Sequence, residues 1–148
     1  MIVVAQRCSS ASVSVDEAVV SKIDQGLLLL VGIEKGDGQL DIQKVVKKIL
    51  NLRIFEDENN KMNLSVMDVN GSLLVVSQFT LCGNVKKGRR PSFVNAETPE
   101  LSFTLYENLI TSFKEVGIHT FGGSFGKMMN VELINKGPAT FIINSKEI

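Results

Sequence analysis

The run GLLLLVGI at residues 26–33 determines the most about the fold of this chain. Its apolar residues do not alternate with polar ones, and the run is shorter than most helices. These two properties are typical of a central strand whose faces are both buried. Since such a strand needs a layer of side chains on each face, neighbouring segments must supply two covering layers.

Two segments have apolar residues at the three-and-four spacing of a helix with one apolar face. The first runs over residues 39–51, after Asp37 and Gly38, which suit a cap and a turn. Its apolar face comprises Ile42, Val45, Val46, Ile49 and Leu50. The second runs over residues 98–117, with a threonine as N-cap, a proline in the first helical position and a glycine at its end. Its stripe comprises Leu101, Leu105, Leu109, Phe113 and Val116. We expect these helices to be the two covering layers.

The remaining apolar runs are short and rich in β-branched residues, as strands are. We expect four such strands, at residues 1–7, 11–15, 127–134 and 140–144. The first two should pair with each other. Residues 52–66 resemble two strand pieces around Asn59 and Asn60, which tolerate the positive φ of a hairpin turn. The pattern predicts an α+β fold, a compact single domain over residues 1–148 with a mostly antiparallel or mixed, barrel-like sheet and two main helices.

Composition limits the functions that the chain can have. The 16 Lys and Arg residues balance the 16 Asp and Glu residues, so a general polyanion binder is not indicated and we expect no DNA partner. Cys8 and Cys82 form no CxxC pair and have no histidine cluster near them, which argues against a zinc site and suits a reducing compartment. We expect neither a metal nor a cofactor. No apolar run is long enough for a signal peptide or a membrane span, so we expect a cytoplasmic protein.

Polar side chains follow a second buried run, residues 73–76, where Ser77, Gln78 and Thr80 come directly after it. One interpretation is that serine and threonine bond the backbone at the end of a strand. The other is a nucleophile or a substrate clamp, but a serine hydrolase needs a base beside the hydroxyl and a group that orients the base. The only histidine, His119, falls at a helix-to-strand junction, and nothing in the sequence brings it near Ser77. A catalytic triad is therefore unsupported.

A basic loop without periodicity follows at residues 83–93. Its charged residues are Lys86, Lys87, Arg89 and Arg90. A short run of this kind is often a solvated loop, but long ordered loops in compact domains are frequently functional. Arginine and lysine beside a polar strand end are able to hold phosphates.

A glycine-proline pair, Gly137-Pro138, lies between the two late strands in NKGPAT at residues 135–140. The pair is compatible with an ordinary turn. It is also compatible with a cis peptide bond, which aims backbone carbonyls in a direction that ordinary turns do not reach.

These elements together resemble one protein family. The motifs are SQFTL at 77–81, RPSF at 90–93, NKGPAT at 135–140, RIF and KMN within 53–63, and QR at 6–7. They resemble the D-aminoacyl-tRNA deacylases, and the resemblance runs from residue 1 to about residue 144. It implies an esterase that removes D-amino acids from the 3′ end of mischarged tRNA, built as a homodimer of compact α+β subunits.

The resemblance also implies roles for individual residues. The positions around the terminal adenosine and the ester are Ser77, Gln78, Phe79 and Thr80. Gly137 and Pro138 match a cis pair that reaches into the partner's pocket, and Arg7 matches the arginine that braces this pair. Phe125 and Met129 match positions in the pocket wall. The basic loop is the segment that we expect to contact the tRNA.

The chemistry of an aminoacyl ester agrees with the missing triad. The ester is already activated and the terminal ribose carries a neighbouring hydroxyl, so correct placement of ester, hydroxyl and water accelerates hydrolysis by proximity. The resemblance implies this RNA-assisted route rather than Thr80 as nucleophile, and backbone N–H groups near Phe79 suit an oxyanion hole. A pocket that excludes L side chains should also accept Gly-tRNA. Two alternatives remain: a Ser/Thr acyl hydrolase that uses His119, and a non-catalytic tRNA-binding module.

Overall fold

The chain forms eight strands and two α-helices within residues 1–86 and 88–148, the part that the computed structural model describes. The strands are β1 (Ile2–Val15), β2 (Ala18–Ile23), β3 (Gly26–Gly32), β4 (Phe55–Glu56), β5 (Met62–Leu64), β6 (Ser72–Ser77), β7 (Thr120–Gly122) and β8 (Asn130–Asn144). The helices are α1 (Gln39–Asn51) and α2 (Pro99–Glu115). A short 3₁₀ helix, Phe79–Cys82, follows β6 directly.

The main sheet is mixed, and β3 lies at its centre. Its strand order is β2-β1-β3-β6-β7, and β8 pairs with the other edge of β1. Strand β1 is antiparallel to β2, β3 and β8, whereas β3 with β6 and β6 with β7 are parallel. The hydroxyl of Ser21 on β2 donates to the carbonyl of Gly122 on β7 at 2.8 Å. The first and last strands of this order therefore meet, as they do in a barrel. The predicted α+β, barrel-like fold is confirmed.

Two pairs of predicted strands are in fact single long strands. Residues 1–7 and 11–15 both belong to β1, so the expectation that they pair with each other is wrong. The first half of β1 pairs with β3 and its second half with β2, and its ladders shift register near Cys8 and at Val13/Ser14. Such irregularities bend a strand without ending it. Residues 130–144 likewise form the single strand β8.

Both helices cover the same face of the sheet, contrary to the expectation of one helix for each face. Leu27, Leu29 and Val31 of β3 share one buried cluster with apolar residues of α1 and of α2. The opposite side chain, Leu28, is buried in a second cluster without either helix. Its other members are Cys8, Ala11, Val13, Ile23, Leu74 and Val76. The bend of β1 folds the sheet over its own second face, so no helix is needed there.

The helices begin and end close to the predicted positions. Helix α1 starts at the N-cap Gly38, and α2 starts after Thr98, with Gly117 at φ +86° beyond its end. Leu101 and Val116 are 43% and 47% exposed, so the predicted stripe is wrong at both ends. Helix α2 is about 25 Å long and the facing strand β6 about 20 Å, so the helix extends past the sheet. Among the described residues, no helix is long and apolar enough to cross a membrane.

The predicted hairpin is present, and two strands were not predicted. Strands β4 and β5 pair antiparallel around Asn60, which has φ +59°. The side chain of Asp57 accepts hydrogen bonds from the N–H groups of Asn59 and Lys61. Strands β2 and β7 are short, and neither carries a long apolar run that would have indicated them.

Candidate active site

A cavity of about 310 Å³ lies beyond the ends of β3 and β6. The carboxyl ends of these parallel strands meet at one edge of the sheet, where Val31 pairs with Ser77 and the N–H of Gln78 donates to the carbonyl of Val31 at 2.7 Å. Ligands of α/β sheets commonly bind at such an edge. The lining residues are Val31, Ile33, Ser77, Gln78, Phe79, Ala96, Glu97, Pro99, Ser102, Phe125 and Gly126. The sequence-predicted residues Ser77, Gln78, Phe79 and Phe125 are thus brought together.

The 3₁₀ helix explains how Ser77, Gln78 and Phe79 reach the same site, although neighbouring side chains of a strand point to opposite faces. Strand geometry ends at Ser77, and the N–H groups of Leu81 and Gly83 then bond the carbonyls of Gln78 and Thr80 at 3.2 and 3.0 Å. A Cβ atom at Gly83 would lie 2.8 Å from the Thr80 carbonyl oxygen, so only glycine permits this exit. The side chain of Gln78 donates to the hydroxyl of Thr80, which is exposed and is not a lining residue of the cavity.

Aromatic rings flank the cavity. Phe79 is 58% exposed and meets Phe93 edge to face, with ring centroids 5.0 Å apart. Phe125 is half-buried and contacts Phe103 and Tyr106, with centroids 5.3 and 5.6 Å apart. An exposed aromatic ring at the mouth of a cavity is able to stack on a nucleobase.

Tyr106 of α2 fixes the back of the cavity, and the sequence analysis did not identify it. Its hydroxyl donates to the carbonyl of Val75 on β6 at 2.8 Å and accepts from the N–H of Gly123 at 3.0 Å. Burial raises the pKa of Tyr106 to about 12, so the hydroxyl stays protonated at neutral pH. The residue therefore ties β6 to the segment that carries Phe125. The sequence signal that could have identified Tyr106 is that it is the only tyrosine of the chain and lies beside the apolar stripe of a helix.

Glu97 is a second lining residue that the sequence analysis missed. It is the one ionisable group among the described residues that line the cavity. Its backbone N–H donates to the carbonyl of Ile33 at 3.0 Å, and its carboxylate accepts from the N–H of Thr98 at 2.8 Å. Its position just before the N-cap of α2 gave no functional signal.

The basic loop begins at the mouth of the cavity. Asn84 and Ser92 close its base through two backbone hydrogen bonds of 2.8 and 2.9 Å. Lys86, Arg89 and Arg90 are exposed on the loop, and Lys87 lies outside the described residues. Because Phe93, the last residue of the loop, contacts Phe79, the loop starts and ends beside the cavity.

Arg7 fixes the backbone that leads into the glycine-proline pair. It is 2% exposed, and its guanidinium donates to the carbonyls of Lys136 at 3.0 Å and Ile54 at 2.7 Å and contacts Glu56 at 3.5 Å. The Gly137-Pro138 bond is cis, and both residues are exposed. Gly137 has φ +115°, and a Cβ atom there would collide with the Arg7 guanidinium. The Arg7 contact thus requires glycine at this position.

The Gly137-Pro138 pair does not line the cavity of its own protomer. Arg7 pairs with Leu27 of β3, and Leu27 pairs with Leu73 of β6. Leu73 precedes Ser77 by four residues of strand, which is about 13 Å. Arg7 and the glycine-proline pair therefore lie toward the end of the sheet that is opposite the cavity.

Two further predicted residues also lie away from the cavity. The carbonyl of His119 accepts from the N–H of Leu73 at 2.8 Å, so His119 is at the opposite end of β6 from Ser77. This separation removes the base that a Ser77 triad would need. Met129 has its sulfur against Gly123 and packs on the second buried cluster, and it is not a lining residue of the cavity.

The comparisons with known proteins identify the family. The family model described as D-Tyr-tRNA(Tyr) deacylase matches residues 4–144. The chain belongs to this family. Relatives named D-aminoacyl-tRNA deacylase include one from Clostridioides difficile, 51% identical with 97% of each chain covered, and one from Aquifex aeolicus, 53% identical with 98% of each covered. A D-aminoacyl-tRNA deacylase from Flavobacterium psychrophilum is 53% identical over 99% of this chain and 98% of the relative.

Two solved structures share the deacylase fold seen here. One, titled c-Myc DNA Unwinding Element Binding Protein, has a TM-score of 0.93 at 38% identity and covers 97% of this chain and 98% of its own. The other, titled as a probable eukaryotic D-amino acid tRNA deacylase, has a TM-score of 0.80 at 17% identity over 96% of this chain and 98% of its own. Family membership and the relatives support D-aminoacyl-tRNA deacylase activity, which makes the protein a hydrolase of translational proofreading.

Proposed function

We propose that the cavity binds the aminoacyl-adenosine end of D-aminoacyl-tRNA and that the terminal ribose assists hydrolysis. The observation that carries this proposal is the cavity itself, where Ser77, Gln78, Phe79 and Phe125 meet at the end of β6. Ser77 has no imidazole partner there, because His119 lies at the other end of the strand. Water that attacks the ester carbonyl is then positioned with the ribose hydroxyl, which supplies acceleration by proximity.

The backbone at the start of the 3₁₀ helix is suited to stabilise the developing oxyanion. The first N–H groups of a helix have no acceptor within that helix. Among the described residues, no group accepts a hydrogen bond from the N–H of Phe79 or of Thr80. Two free N–H donors aimed at an ester oxygen stabilise the negative charge that forms on it. Loss of the Thr80 hydroxyl should therefore leave measurable deacylation.

The glycine-proline pair is proposed to act in the cavity of a partner subunit. Gly137 and Pro138 are exposed, braced by Arg7 and distant from the cavity of their own protomer. Strand β8 pairs only with β1 among the described residues and exposes Ile134 by 63% and Ile142 by 77%. An isologous dimer would cover this apolar edge and exchange the two glycine-proline pairs.

This arrangement would select substrates by exclusion. Carbonyls of the glycine-proline pair would occupy the space of an L side chain, whereas a D side chain would point to solvent. Glycine has no side chain to exclude, so Gly-tRNA should also be cleaved. The identity of the D side chain should matter little.

Release of amino acid from D-Tyr-, L-Tyr- and Gly-tRNA tests the proposed selection. We expect release from D-Tyr-tRNA and Gly-tRNA and none from L-Tyr-tRNA. Inertness toward Gly-tRNA at enzyme levels that clear D-Tyr-tRNA would show that the D side chain is recognised directly. A D-Tyr-tRNA that ends in 2′-deoxyadenosine tests the RNA-assisted step, which is wrong if this substrate is cleaved at the normal rate.

Sedimentation of the active enzyme tests the dimer. We expect a dimer at assay concentration, because in a monomer each cavity would lack the glycine-proline pair that excludes L side chains. An active monomer that still discriminates D-Tyr from L-Tyr would contradict the exchange of glycine-proline pairs.

The basic loop is proposed to supply tRNA affinity and no chemistry. Replacing Arg89 and Arg90 by alanine should raise KM for D-Tyr-tRNA and reduce its salt dependence, because lost phosphate contacts release fewer counterions. Turnover at saturating tRNA should persist. Replacing the exposed Lys61 and Lys114 by alanine removes the same charge elsewhere and serves as the control. A loss of saturated turnover with unchanged KM would assign the loop to the chemical step instead.

A further inference from the structure

A second set of basic residues lies on α1 and just beyond it, away from the basic loop. Lys44, Lys47 and Lys48 are exposed at three-and-four spacing and therefore occupy one face of the helix. Together with Arg53 they line a groove of about 620 Å³. The other lining residues are Asn51, Leu52 and Ile148. We name this feature the α1 groove.

None of the four basic side chains of the α1 groove forms an ion pair within the described residues. Lys44 interacts with the carboxylate of Asp41, and Arg53 with those of Asp57 and Asp68, only beyond ion-pair distance. The ammonium of Lys44 donates to the carbonyl of Ser145 at 3.0 Å, and the guanidinium of Arg53 donates to the carbonyl of Asn63 at 2.6 Å. Both acceptors are neutral. Because the whole chain has a formal net charge of zero, four unpaired cations in one groove are a local concentration suited to a polyanion.

The α1 groove adjoins the glycine-proline pair of the same protomer. Arg53 is followed by Ile54, whose carbonyl accepts from Arg7, and Arg7 also donates to the carbonyl of Lys136, the residue before Gly137. A single guanidinium thus separates the end of the groove from the segment proposed to enter the partner's cavity. In the proposed dimer, the α1 groove of one protomer would therefore lie beside the cavity of the other.

We propose that the α1 groove binds the phosphate backbone of the tRNA stem whose 3′ end occupies the partner's cavity. This inference rests on the proposed function. Lysines act as point charges for phosphates, and phosphate contacts position a nucleic acid without reading its sequence. The groove therefore favours no particular tRNA, which suits an enzyme that must accept many tRNAs. A lipid surface is the poorer fit, because the apolar face of α1 is already buried and is not free to enter a membrane.

The test removes the three lysine charges without disturbing the helix. The variant Lys44→Gln/Lys47→Gln/Lys48→Gln retains helix propensity, since glutamine and lysine are similar helix formers. The matched control, Lys22→Gln/Lys61→Gln/Lys114→Gln, removes the same charge from three exposed lysines outside the groove. The dissociation constant for uncharged tRNA is measured for both variants and wild type between about 50 and 200 mM salt.

We expect the groove variant to bind tRNA about 10- to 100-fold more weakly, with a log-log salt slope smaller by about two to three, and the control to change less than about twofold. Equal affinity and slope in groove variant and control would overturn the proposal. So would a groove variant that loses binding to anionic lipid vesicles but keeps its affinity for tRNA. Release of D-Tyr from tRNA by the wild type is followed separately. Failure of that reaction would defeat the proposed function, whereas the tRNA affinities still decide the role of the groove.

Discussion

Replacing Arg7 by lysine should both destabilise the protein and weaken its discrimination between D and L substrates. The guanidinium joins the carbonyls of Lys136 and Ile54, and the second contact is buried. A lysine ammonium cannot span both carbonyls with the fork geometry of arginine, so at least one carbonyl loses a charged donor. Hydrogen bonds to charged groups contribute about 1.5 to 3 kcal/mol, so the loss of one of them should lower the free energy of unfolding by about 1.5 to 3 kcal/mol. For a chain of this length the melting temperature should fall by roughly 3 to 12 °C.

The functional effect should exceed what stability alone explains. Arg7 fixes the backbone before Gly137, and a displacement of about 1 Å in a positioned group costs up to about 100-fold in rate. Release of D-Tyr and of L-Tyr from tRNA should be measured well below the melting temperature of the variant. The control is Glu56→Gln, which changes only the 3.5 Å contact of a side chain that is 42% exposed. If Arg7→Lys melts within 2 °C of wild type, or if it is destabilised but keeps the wild-type ratio of D to L release, the bracing role is wrong.

Three further predictions concern the supporting residues. Tyr106→Phe removes both hydrogen bonds of the hydroxyl, while the Gly123 N–H still donates to the Val75 carbonyl at 2.9 Å. At about 0.5 to 1.5 kcal/mol for each lost bond, the variant should cost about 1 to 3 kcal/mol in urea unfolding. Because the pKa of Tyr106 is raised from 10.0 to about 12 by burial, its contribution to stability is present below pH 10 and lost as the pH rises toward 12, a loss that the variant should not show. His119→Ala should leave deacylation within about twofold of wild type, and a loss of 100-fold or more would restore histidine catalysis. Hydrogen bonds from Ser65 lower the pKa of Asp68 below 3.8, so its contribution is lost as the pH falls through the lowered value. The melting temperature of wild type should therefore fall more than that of Asp68→Asn between about pH 5 and pH 3.

Local pattern was sufficient to identify both helices, the buried strand β3 and the polar end of β6. Helix faces and strands are encoded by spacings of two to four residues, so each can be seen within a short window. The motifs at residues 77–81 and 135–140 also identified the family, although they lie more than 50 residues apart in the chain. The same short windows led to the wrong prediction of two strands in place of β1, since a bend within a strand and a break between two strands have similar local sequences.

The tertiary structure alone decided which residues share the cavity and which face each helix covers. Glu97 and Phe125 join Ser77 only because α2 and the segment after β7 return to the end of the sheet. The distance between Arg7 and the cavity likewise follows from strand register, which no single segment contains. Both helices share one face because β1 bends over the other, and that bend depends on pairing with β2, β3 and β8. Contacts between residues distant in the chain depend on the simultaneous packing of all elements, and for that reason the sequence pattern could not specify them.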